Sequence, residues 1–266
     1  MRPFDDTPLA RDGKVLILAY DHGLEHGPVD FEEVPESANP ERVFEVATHP
    51  AVTTLAVQKG VAEAYYPSYE DEVDLLAKLN GTSNLWMGEP DSAVNCSVEY
   101  AAEELGADAV GFTLYGGSNT EIEMAEEFRE AHEAAREYDL PVVMWSYPRG
   151  QGLKNDKKPG TIAYAARQAH ELGADVAKVK YPGSRDAMEQ AVRMAGRTKV
   201  VMSGGSKTSD REFLESVKAV IDAGGAGLAV GRNVFQRENP TRILDALEQV
   251  IYEEASVDTA LAAAGD

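Results

Sequence analysis

The chain has 266 residues, of which 46 are Asp or Glu and 25 are Lys or Arg, so its formal net charge at pH 7 is −21. This excess makes nucleic acids and anionic membranes poor partners, and it predicts a self-repelling, hydrated surface or, more sharply, adaptation to high salt. The single cysteine, Cys96, excludes an internal disulfide framework and favours a reducing cytoplasm. We expect neither a signal peptide nor a membrane span, because no apolar segment suits either.

Eight short apolar runs recur along the chain, and each is followed by a helical pattern. The runs are 15–20, 52–57, 84–87, 107–113, 141–146, 174–181, 198–203 and 226–231. Most are nearly continuous and rich in β-branched residues, which is typical of parallel strands that are covered on both faces. The sequence therefore predicts eight such strands.

The segments between these runs carry helix signals. Good helix formers, or a closing glycine, predict helices over 95–105, 121–138, 161–172 and 184–195. Ser209 with Glu212 three residues later predicts a capping box before a helix that ends near Gly224. The pair Asn239-Pro240 predicts the start of a last helix, which extends to about residue 254.

Eight β-then-α units in a row, without a change of composition, predict an α/β fold with one closed (β/α)8 TIM barrel over residues 1–266. A doubly wound sheet is the alternative. The connections 21–40 and 58–69 are predicted to be rim loops. The Ala-rich segment from about 255 to 266 is predicted to be a short, flexible tail that frays or docks on a neighbour.

Reactive or binding residue types follow every predicted strand except the third. The active site of such a barrel lies at the carboxyl ends of its strands, so these residues are expected to converge. They are Asp21, His22 and His26; Gln58 and Lys59; Tyr115 to Ser118; Trp145 to Gly150; Lys178 and Lys180; Ser203 to Lys207; and Gly231 to Asn233.

The last two strand ends predict an anion site. A Ser203-Gly204-Gly205 turn and a Gly231-Arg232 turn offer backbone N–H groups and a guanidinium, which suit a substrate phosphate. Two ordinary tight turns are the alternative interpretation. A protein this acidic needs such a local positive site if its substrate is an anion.

Lys178 and Lys180 are two residues apart on one predicted strand, so both side chains point to the same side. If that side is the barrel interior, each cation lowers the pKa of the other, and one lysine becomes a free amine suited to Schiff-base chemistry. The second lysine would bind phosphate or pair with Asp21. Spacing alone does not choose the nucleophile, and a purely structural buried ion pair is the alternative.

Tyr147 follows Trp145 by two residues, so both are expected to face the pocket. A phenol placed against a reacting carbon can transfer a proton, whereas many tyrosines at strand ends only pack at the rim. Asp21 closes the first strand. It is either a general base or the ionic partner of a lysine.

His22 and His26, four residues apart and close to Glu25, raise the alternative of a zinc site. Gly23 and the Gly27-Pro28 pair instead predict a loop, in which the four-residue spacing has no helical meaning. We therefore predict no metal and no other cofactor.

Several of these stretches resemble one known family in order along the chain, over about residues 16–247. The stretches are 18–28 (LAYDHGLEHGP), 145–150 (WSYPRG), 174–181 (ADVAKVKY), 202–205 (MSGG) and 229–233 (AVGRN). They are similar to the archaeal-type class I fructose-1,6-bisphosphate aldolases of the DeoC/FbaB group.

This resemblance implies an aldehyde-lyase with Lys178 as the Schiff-base lysine, Tyr147 as the proton donor and Asp21 as a proton acceptor. The substrate-binding residues that follow from the resemblance and from the strand ends are His22, His26, Trp145, Arg149, Lys180, Ser203, Gly204, Gly205, Gly231 and Arg232. The expected partner is a phosphorylated sugar, in glycolysis or gluconeogenesis. The family is usually cytoplasmic and homo-oligomeric, and the acidic surface is typical of salt-loving archaeal proteins.

Three alternatives stay open at this stage. A sister activity, 2-amino-3,7-dideoxy-D-threo-hept-6-ulosonate synthesis in aromatic amino acid biosynthesis, would use the same fold, lysine and tyrosine. Lys180 and the Trp145-Ser146 pair favour the fructose enzyme at the family level. The others are a non-catalytic sugar-phosphate-binding barrel and a metal-dependent class II aldolase.

Overall fold

Eight parallel strands form a closed barrel in the computed structural model, which describes residues 4–265. The barrel strands are β1 (Val15–Ala19), β2 (Thr54–Gln58), β3 (Leu75–Lys78), β6 (Ala109–Leu114), β7 (Val142–Ser146), β8 (Val176–Val179), β9 (Lys199–Ser203) and β10 (Gly227–Val230). Two short strands, β4 (Asn80–Gly81) and β5 (Ala93–Val94), pair antiparallel outside it. The order around the barrel is β1-β10-β9-β8-β7-β6-β3-β2, and β1 closes the ring by pairing with both β10 and β2. The predicted TIM barrel is confirmed, and the doubly wound sheet is wrong.

Helices follow the barrel strands, and most of them surround the barrel. They are α1 (His22–His26), α2 (Pro40–Ala47), α3 (Lys59–Tyr65), α4 (Val98–Glu103), α5 (Glu121–Glu137), α6 (Pro159–Leu172), α7 (Arg185–Met194), α8 (Asp210–Asp222), α9 (Arg232–Phe235), α10 (Pro240–Ile251) and α11 (Val257–Ala263). Helices α1 and α9 contribute residues to a pocket at the carboxyl ends of the strands. Short 3-10 turns lie at Phe4–Asp6, Gly27–Phe31, Pro35–Ala38 and Tyr66–Ser68. The predicted capping box is confirmed, since Ser209 and Glu212 exchange side-chain to backbone hydrogen bonds at the start of α8.

The prediction of the third strand at 84–87 is wrong. Leu85, Trp86 and Met87 are 92%, 74% and 91% exposed in a rim loop, whereas the third barrel strand is β3, which pairs with β2 and β6. Its continuous apolar run is only Leu75-Leu76-Ala77 before Lys78, which is shorter than the runs that mark most of the other strands. Burial of Leu75, Leu76 and Ala77 on both faces fixes it in the barrel.

Two segments predicted as rim loops contain helices. Residues 22–26 form α1 and residues 59–65 form α3, which makes the crossover from β2 to β3. Gly23 and Gly60 weaken the helical pattern in these segments. Neither glycine breaks the helix, because tertiary packing of buried His22 and Ala62 holds each segment in place.

The segment expected to be a flexible tail contains α11. Ser256 caps this helix by accepting a hydrogen bond from the Thr259 backbone N–H, and Ala260 and Leu261 are buried. Alanine is the best helix former, so an Ala-rich segment with a serine cap favours a helix over an irregular end. Residue 266 of the expected tail lies outside the described residues. That residues 1–266 form a single domain stays a prediction.

Among the helices of residues 4–265, none is long and apolar enough to span a membrane. Most buried residues of the barrel strands are apolar, and Lys78 in β3 and Lys178 in β8 are the buried charged ones. Gly227 opens β10 with φ +142°, and a Cβ atom there would lie 1.9 Å from the Val15 carbonyl oxygen. Glycine at this position therefore permits the contact between β10 and β1 that closes the barrel.

Candidate active site

One pocket of about 470 Å³ opens at the carboxyl ends of the barrel strands, and the thirteen residues predicted as catalytic or substrate-binding line it. Gln58, Lys59 and residues 115–118, which were also expected to converge there, do not line it, and Gly116 and Gly117 line a separate pocket. They are Asp21, His22, His26, Trp145, Tyr147, Arg149, Lys178, Lys180, Ser203, Gly204, Gly205, Gly231 and Arg232. These residues come from five strand ends, those of β1, β7, β8, β9 and β10, which are far apart in sequence. Closure of the barrel brings them together.

Lys178 lies in β8, opposite Trp145 of β7 in the strand register, and its side chain is 5% exposed. The pKa of this lysine is lowered from 10.5 to about 8, mainly by burial and with a smaller contribution from Arg232, while Asp21 and Glu25 oppose the shift. The Nζ atom lies 4.4 Å from the centroid of the Trp145 ring. Within the described chain, no carboxylate oxygen lies within 4.0 Å of this Nζ. A neutral amine is therefore accessible at this position close to neutral pH.

Lys180 faces the same pocket, as the two-residue spacing predicts. Its ammonium forms an ion pair with Asp156 on the loop between β7 and α6, and it lies 5.9 Å from the centroid of the Tyr147 ring. The suggestion that the second lysine pairs with Asp21 is wrong, because Asp156 is closer. Lys178 in β8 and Lys180 just after it therefore have different surroundings, one apolar and one ionic.

Lys78 at the end of β3 is the lysine that pairs with Asp21, and the sequence analysis missed it. Its side chain is 1% exposed, with Nζ 4.0 Å from Asp21 Oδ2 and 4.1 Å from the centroid of the Trp145 ring. The Nζ also donates a hydrogen bond of 2.8 Å to Thr113 Oγ1. The pKa of Lys78 is lowered to about 8, mainly by burial. Lys178 contributes to this lowering, and Asp21 opposes it.

Two signals in the sequence could have identified Lys78. It follows Leu75-Leu76-Ala77 and precedes Leu79, so it is a lysine inside an otherwise apolar run. A lysine in that setting has a costly charge unless it is paired. The misplaced third strand concealed this pattern.

Tyr147 follows β7, is 9% exposed, and lines the pocket. Burial and the nearby carboxylates of Asp21 and Glu25 hold the pKa of its phenol well above the usual value, while Arg149 and Ser203 oppose the shift. The phenol is therefore protonated over the physiological pH range. It can donate a proton, provided that the proton is replaced after each turnover.

Arg149 forms an ion pair of 2.8 Å with Glu25 of α1. Glu25 lines the pocket as well, although the sequence analysis considered it only beside the two histidines. The Arg149 guanidinium carbon lies 5.2 Å and 5.8 Å from the ring centroids of Tyr115 and Tyr147. This pair connects the loop after β7 to the loop after β1 across the mouth of the pocket.

His22 and His26 both lie in α1, contrary to the expected loop, with ring centroids 6.4 Å apart. His22 stacks on Phe235 at 4.5 Å, and burial lowers its pKa to about 4, so its imidazole is neutral. His26 Nδ1 lies 2.5 Å from Asp30 Oδ2. No group of three or more His, Cys, Asp and Glu side chains suited to a metal ion occurs within residues 4–265.

The turns after β9 and β10 require glycine for steric reasons. A Cβ atom on Gly204 would lie 2.7 Å from Val230 Cγ2, and one on Gly231 would lie 2.4 Å from the Ala19 carbonyl oxygen. Gly205 has φ +66°, a left-handed conformation that favours glycine. Arg232 lies beside them, with Nη1 3.7 Å from Asp30 Oδ1. Close packing of these turns produces an electropositive wall of backbone amides and a guanidinium.

The fold and the pocket together define a class: a (β/α)8 barrel with a buried amine, a buried phenol and glycine turns beside a guanidinium at the carboxyl ends of its strands. The sequence model of the DeoC/LacD family of aldolases matches residues 15–237. The chain belongs to this family.

Similar proteins agree with this assignment. The chain is 78% identical over 261 residues to a class 1 fructose-bisphosphate aldolase of Halobacterium salinarum, covering 98% of this chain and 99% of that one. It is 48% identical over 244 residues to the class 1 fructose-bisphosphate aldolase of Thermoproteus tenax, with 91% of each covered. A solved archaeal fructose-1,6-bisphosphate aldolase, whose catalytic lysine is covalently bound to the carbinolamine intermediate of its substrate, superposes with a TM-score of 0.88. That protein is 47% identical, and the match covers 92% of this chain and 96% of that one.

Proposed function

We propose that this chain is a class I fructose-1,6-bisphosphate aldolase, which reversibly cleaves its substrate to dihydroxyacetone phosphate and glyceraldehyde 3-phosphate. The observation that carries the proposal is Lys178, a buried amine with a pKa of about 8 in the pocket of a barrel of this family. Schiff-base catalysis needs a neutral amine that is sheltered from water, and desolvation provides it.

In the proposed reaction, the neutral amine of Lys178 adds to the C2 ketone of the open-chain sugar. The resulting carbinolamine loses water and forms an iminium, which accepts electrons. A base takes the proton of the C4 hydroxyl, the C3–C4 bond breaks, and its electron pair moves to C3 as the iminium becomes an enamine. Glyceraldehyde 3-phosphate leaves, C3 is protonated, and water then releases dihydroxyacetone phosphate and regenerates Lys178.

Tyr147 is our candidate for the donor that protonates C3, because its phenol is buried, protonated and in the same pocket as Lys178. Asp21 is our candidate for a proton acceptor. The Lys78 Nζ lies 4.0 Å from Asp21 Oδ2, and this ion pair restrains the Asp21 side chain. Trp145 lies against both Lys78 and Lys178, so it excludes water from the two amines.

We assign the phosphate next to the reacting ketone to the turns after β9 and β10. Ser203, Gly204, Gly205, Gly231 and Arg232 would surround it. Strands β9 and β10 follow β8 around the barrel, so this anion site lies beside the strand that carries Lys178. His22 and His26, with Trp145, would line the sugar carbons, and Arg149 and Lys180 would contact the distal part of the substrate.

The assay that tests this proposal is cleavage of fructose 1,6-bisphosphate by the purified chain in high salt with EDTA. We expect both triose phosphates to appear in equal amounts and the rate to be unaffected by EDTA. Loss of activity with EDTA would favour a metal-dependent mechanism. Inactivity toward this sugar together with activity as a 2-amino-3,7-dideoxy-D-threo-hept-6-ulosonate synthase would favour the sister reaction, and binding of sugar phosphate without turnover would favour the binding-only barrel.

We also propose a cellular setting. The acidic composition and the similarity to the protein from Halobacterium salinarum support an archaeal enzyme that works in high salt. A role in glycolysis or gluconeogenesis would follow from the proposed reaction. A cytoplasmic homo-oligomer is our proposal from the family resemblance, and light scattering at high and low salt would test the assembly.

A further inference from the structure

Asn233 is fully buried at the base of the anion-binding wall, and the proposed reaction leaves it without a role. Its Nδ2 donates one hydrogen bond of 2.8 Å to the Gly204 carbonyl and another of 2.9 Å to the Ser206 carbonyl. Its Oδ1 accepts a hydrogen bond of 3.1 Å from the Thr208 backbone N–H. One side chain from the turn after β10 therefore holds three points of the turn after β9.

These bonds use the full donor capacity of the amide, since Nδ2 carries two hydrogens and both are engaged. An asparagine side chain offers this combination of two donors and an acceptor in a short, planar group. Aspartate has the same shape but no donor, so it would place a carboxylate against two carbonyl oxygens. The position thus has a chemical requirement beyond size.

Because Asn233 binds the turn after β9, the backbone groups of that turn are fixed relative to the pocket. With the Gly204 and Ser206 carbonyls bound to Asn233, these oxygens are withheld from an anion that binds at the wall. The N–H groups of Gly205 and Ser206 donate to no oxygen within residues 4–265, and both residues line the pocket. A turn fixed in this way offers donors and not acceptors to an anion.

Arg237 supports the same arrangement from behind. Its guanidinium donates to the Thr208 carbonyl at 3.4 Å and 3.5 Å and lies 3.5 Å from Asn233 Oδ1. It is also ion-paired with Asp210 at 3.0 Å. The turn after β9, the turn after β10 and the start of α8 are thereby joined in one hydrogen-bonded network.

We propose that Asn233 is a positioning residue for phosphate binding, because it sets the backbone of the 204–208 turn so that its amides face the anion. The identification of the anion as the phosphate of the substrate rests on the proposed function. The prediction that phosphate binds does not rest on the proposed function, because binding requires the anion-binding wall and not the amine of Lys178.

The test is the affinity for inorganic phosphate, measured by isothermal titration calorimetry in a chloride buffer, for the wild-type chain and for Asn233→Asp. The dissociation constant of the variant is expected to rise by about tenfold or more, as loss of two hydrogen bonds to a binding loop implies. Asn80→Asp is the matched control. Asn80 is also fully buried, donates twice to carbonyls (those of Ser92 and Thr113), and accepts from a backbone N–H, but it follows β3 on the other side of the barrel. Its dissociation constant for phosphate is expected to stay within about twofold of the wild-type value.

Asn233→Ser is the second variant, and it is measured alongside Asn233→Asp so that the test survives if the aspartate variant does not fold. It keeps one hydroxyl donor and adds no charge, so an intermediate loss of affinity is expected. Borohydride trapping is also compared between dihydroxyacetone phosphate and dihydroxyacetone, because a general structural defect would affect both ketones alike. The Asn233 variants are expected to raise the half-saturating concentration of the phosphorylated ketone only.

Three results would overturn the role of Asn233: no phosphate binding by the wild-type chain, unchanged phosphate affinity in both Asn233 variants, or an equal loss in Asn80→Asp. Failure of the proposed aldolase reaction would appear separately, as absence of a borohydride adduct in a wild-type chain that still binds phosphate.

Discussion

The floor and the rim of the pocket differ in how their cations are buried and paired with carboxylates. We define the floor as the pocket-lining residues Lys178, Asp21 and Trp145 together with Lys78, which does not line the pocket but contacts Asp21 and Trp145. Its two lysines are at most 5% exposed and lie near one carboxylate and one indole. At the rim, each cation is ion-paired with a carboxylate that lies outside the barrel strands. The rim pairs are Arg149 with Glu25, Lys180 with Asp156, Lys207 with Glu33, and Arg232 with Asp30.

This difference distinguishes a lysine that can act as a nucleophile from a lysine that can only attract an anion. Desolvation of the floor lowers the pKa of both buried lysines to about 8, which corresponds to roughly 3 kcal/mol of lost interaction for each ammonium. A partly exposed ion pair at the rim contributes only about 0–1 kcal/mol. Burial of the floor lysines therefore lowers the stability of the fold but makes a neutral amine accessible. At the rim, the cations are paired with carboxylates and are available to attract an anionic substrate.

The largest expected effect is that of Lys178→Met. Removal of the nucleophile should lower cleavage of fructose 1,6-bisphosphate by at least about a thousandfold, because the covalent pathway is lost. Lys180→Met is the matched control, since it removes a lysine from the same strand and pocket, and it should act mainly on KM. Steady-state kinetics of both variants checks the prediction. Comparable residual activity in the two would erase the distinction between floor and rim.

Tyr147→Phe should lower the rate by roughly a hundredfold or more, in line with the contribution of a positioned general acid. The buried ring would keep its packing, so thermal stability should change little. The measurement is the rate of hydrogen exchange at C3 of dihydroxyacetone phosphate together with the rate of cleavage. If Tyr147 protonates C3, both rates fall; wild-type exchange in the variant would assign the proton transfer to another group.

Lys178→Met should also be more stable than the wild-type chain at pH 7. The folded-state pKa of Lys178, about 8, lies below its unfolded value of 10.5, so the fold penalises the ammonium at every pH below about 8. Between those two values the unfolded chain binds more protons, and the wild-type free energy of unfolding rises with pH. The gain of the variant should be about 1–3 kcal/mol at pH 7 and should vanish as the pH approaches 10.5. Urea unfolding of both proteins at pH 7 and pH 10 checks this; a destabilised variant at pH 7 would contradict a strained floor.

Lys78→Met should move the pH dependence of the reaction. Removal of a neighbouring cation leaves Asp21 to act on Lys178 alone, so the pKa of Lys178 should rise and the acidic limb of the rate profile should move up by about one pH unit. At pH 7 the rate would then fall by roughly tenfold. The pH profile of kcat/KM is the measurement, with Lys180→Met as the control whose limb should not move. An unshifted limb in Lys78→Met would mean that the two buried lysines do not interact.

The sequence was sufficient to predict the barrel and the composition of its pocket, for a physical reason. Strands buried on both faces require continuous apolar runs, and the closing barrel places their carboxyl ends together, so residues such as Lys178 and Tyr147 could be grouped without any contact being known. The family resemblance supplied their separate roles, which spacing had left open. The short α1 and α3 were missed because glycine weakens their local helix signal, and tertiary packing restores it.

The rest depends on contacts that have no local signal. Lys78 escaped attention because β3 is short and a polar residue closes it, and the exposed Leu85-Trp86-Met87 loop resembled a strand more closely. The pairing of Lys180 with Asp156 depends on the path of a loop, and no periodicity specifies that path. The role of Asn233 depends on the close approach of two turns from different strands.

The central claim is that the reactive amine is the lysine of the floor that has no carboxylate of its own. The most direct test is to incubate the wild-type chain with dihydroxyacetone phosphate and sodium borohydride in high salt and to locate the reduced adduct by peptide mass spectrometry. We predict one adduct, on Lys178, formed faster as the pH rises toward 8. An adduct on Lys180 or Lys78, or no adduct on a folded chain, would contradict it.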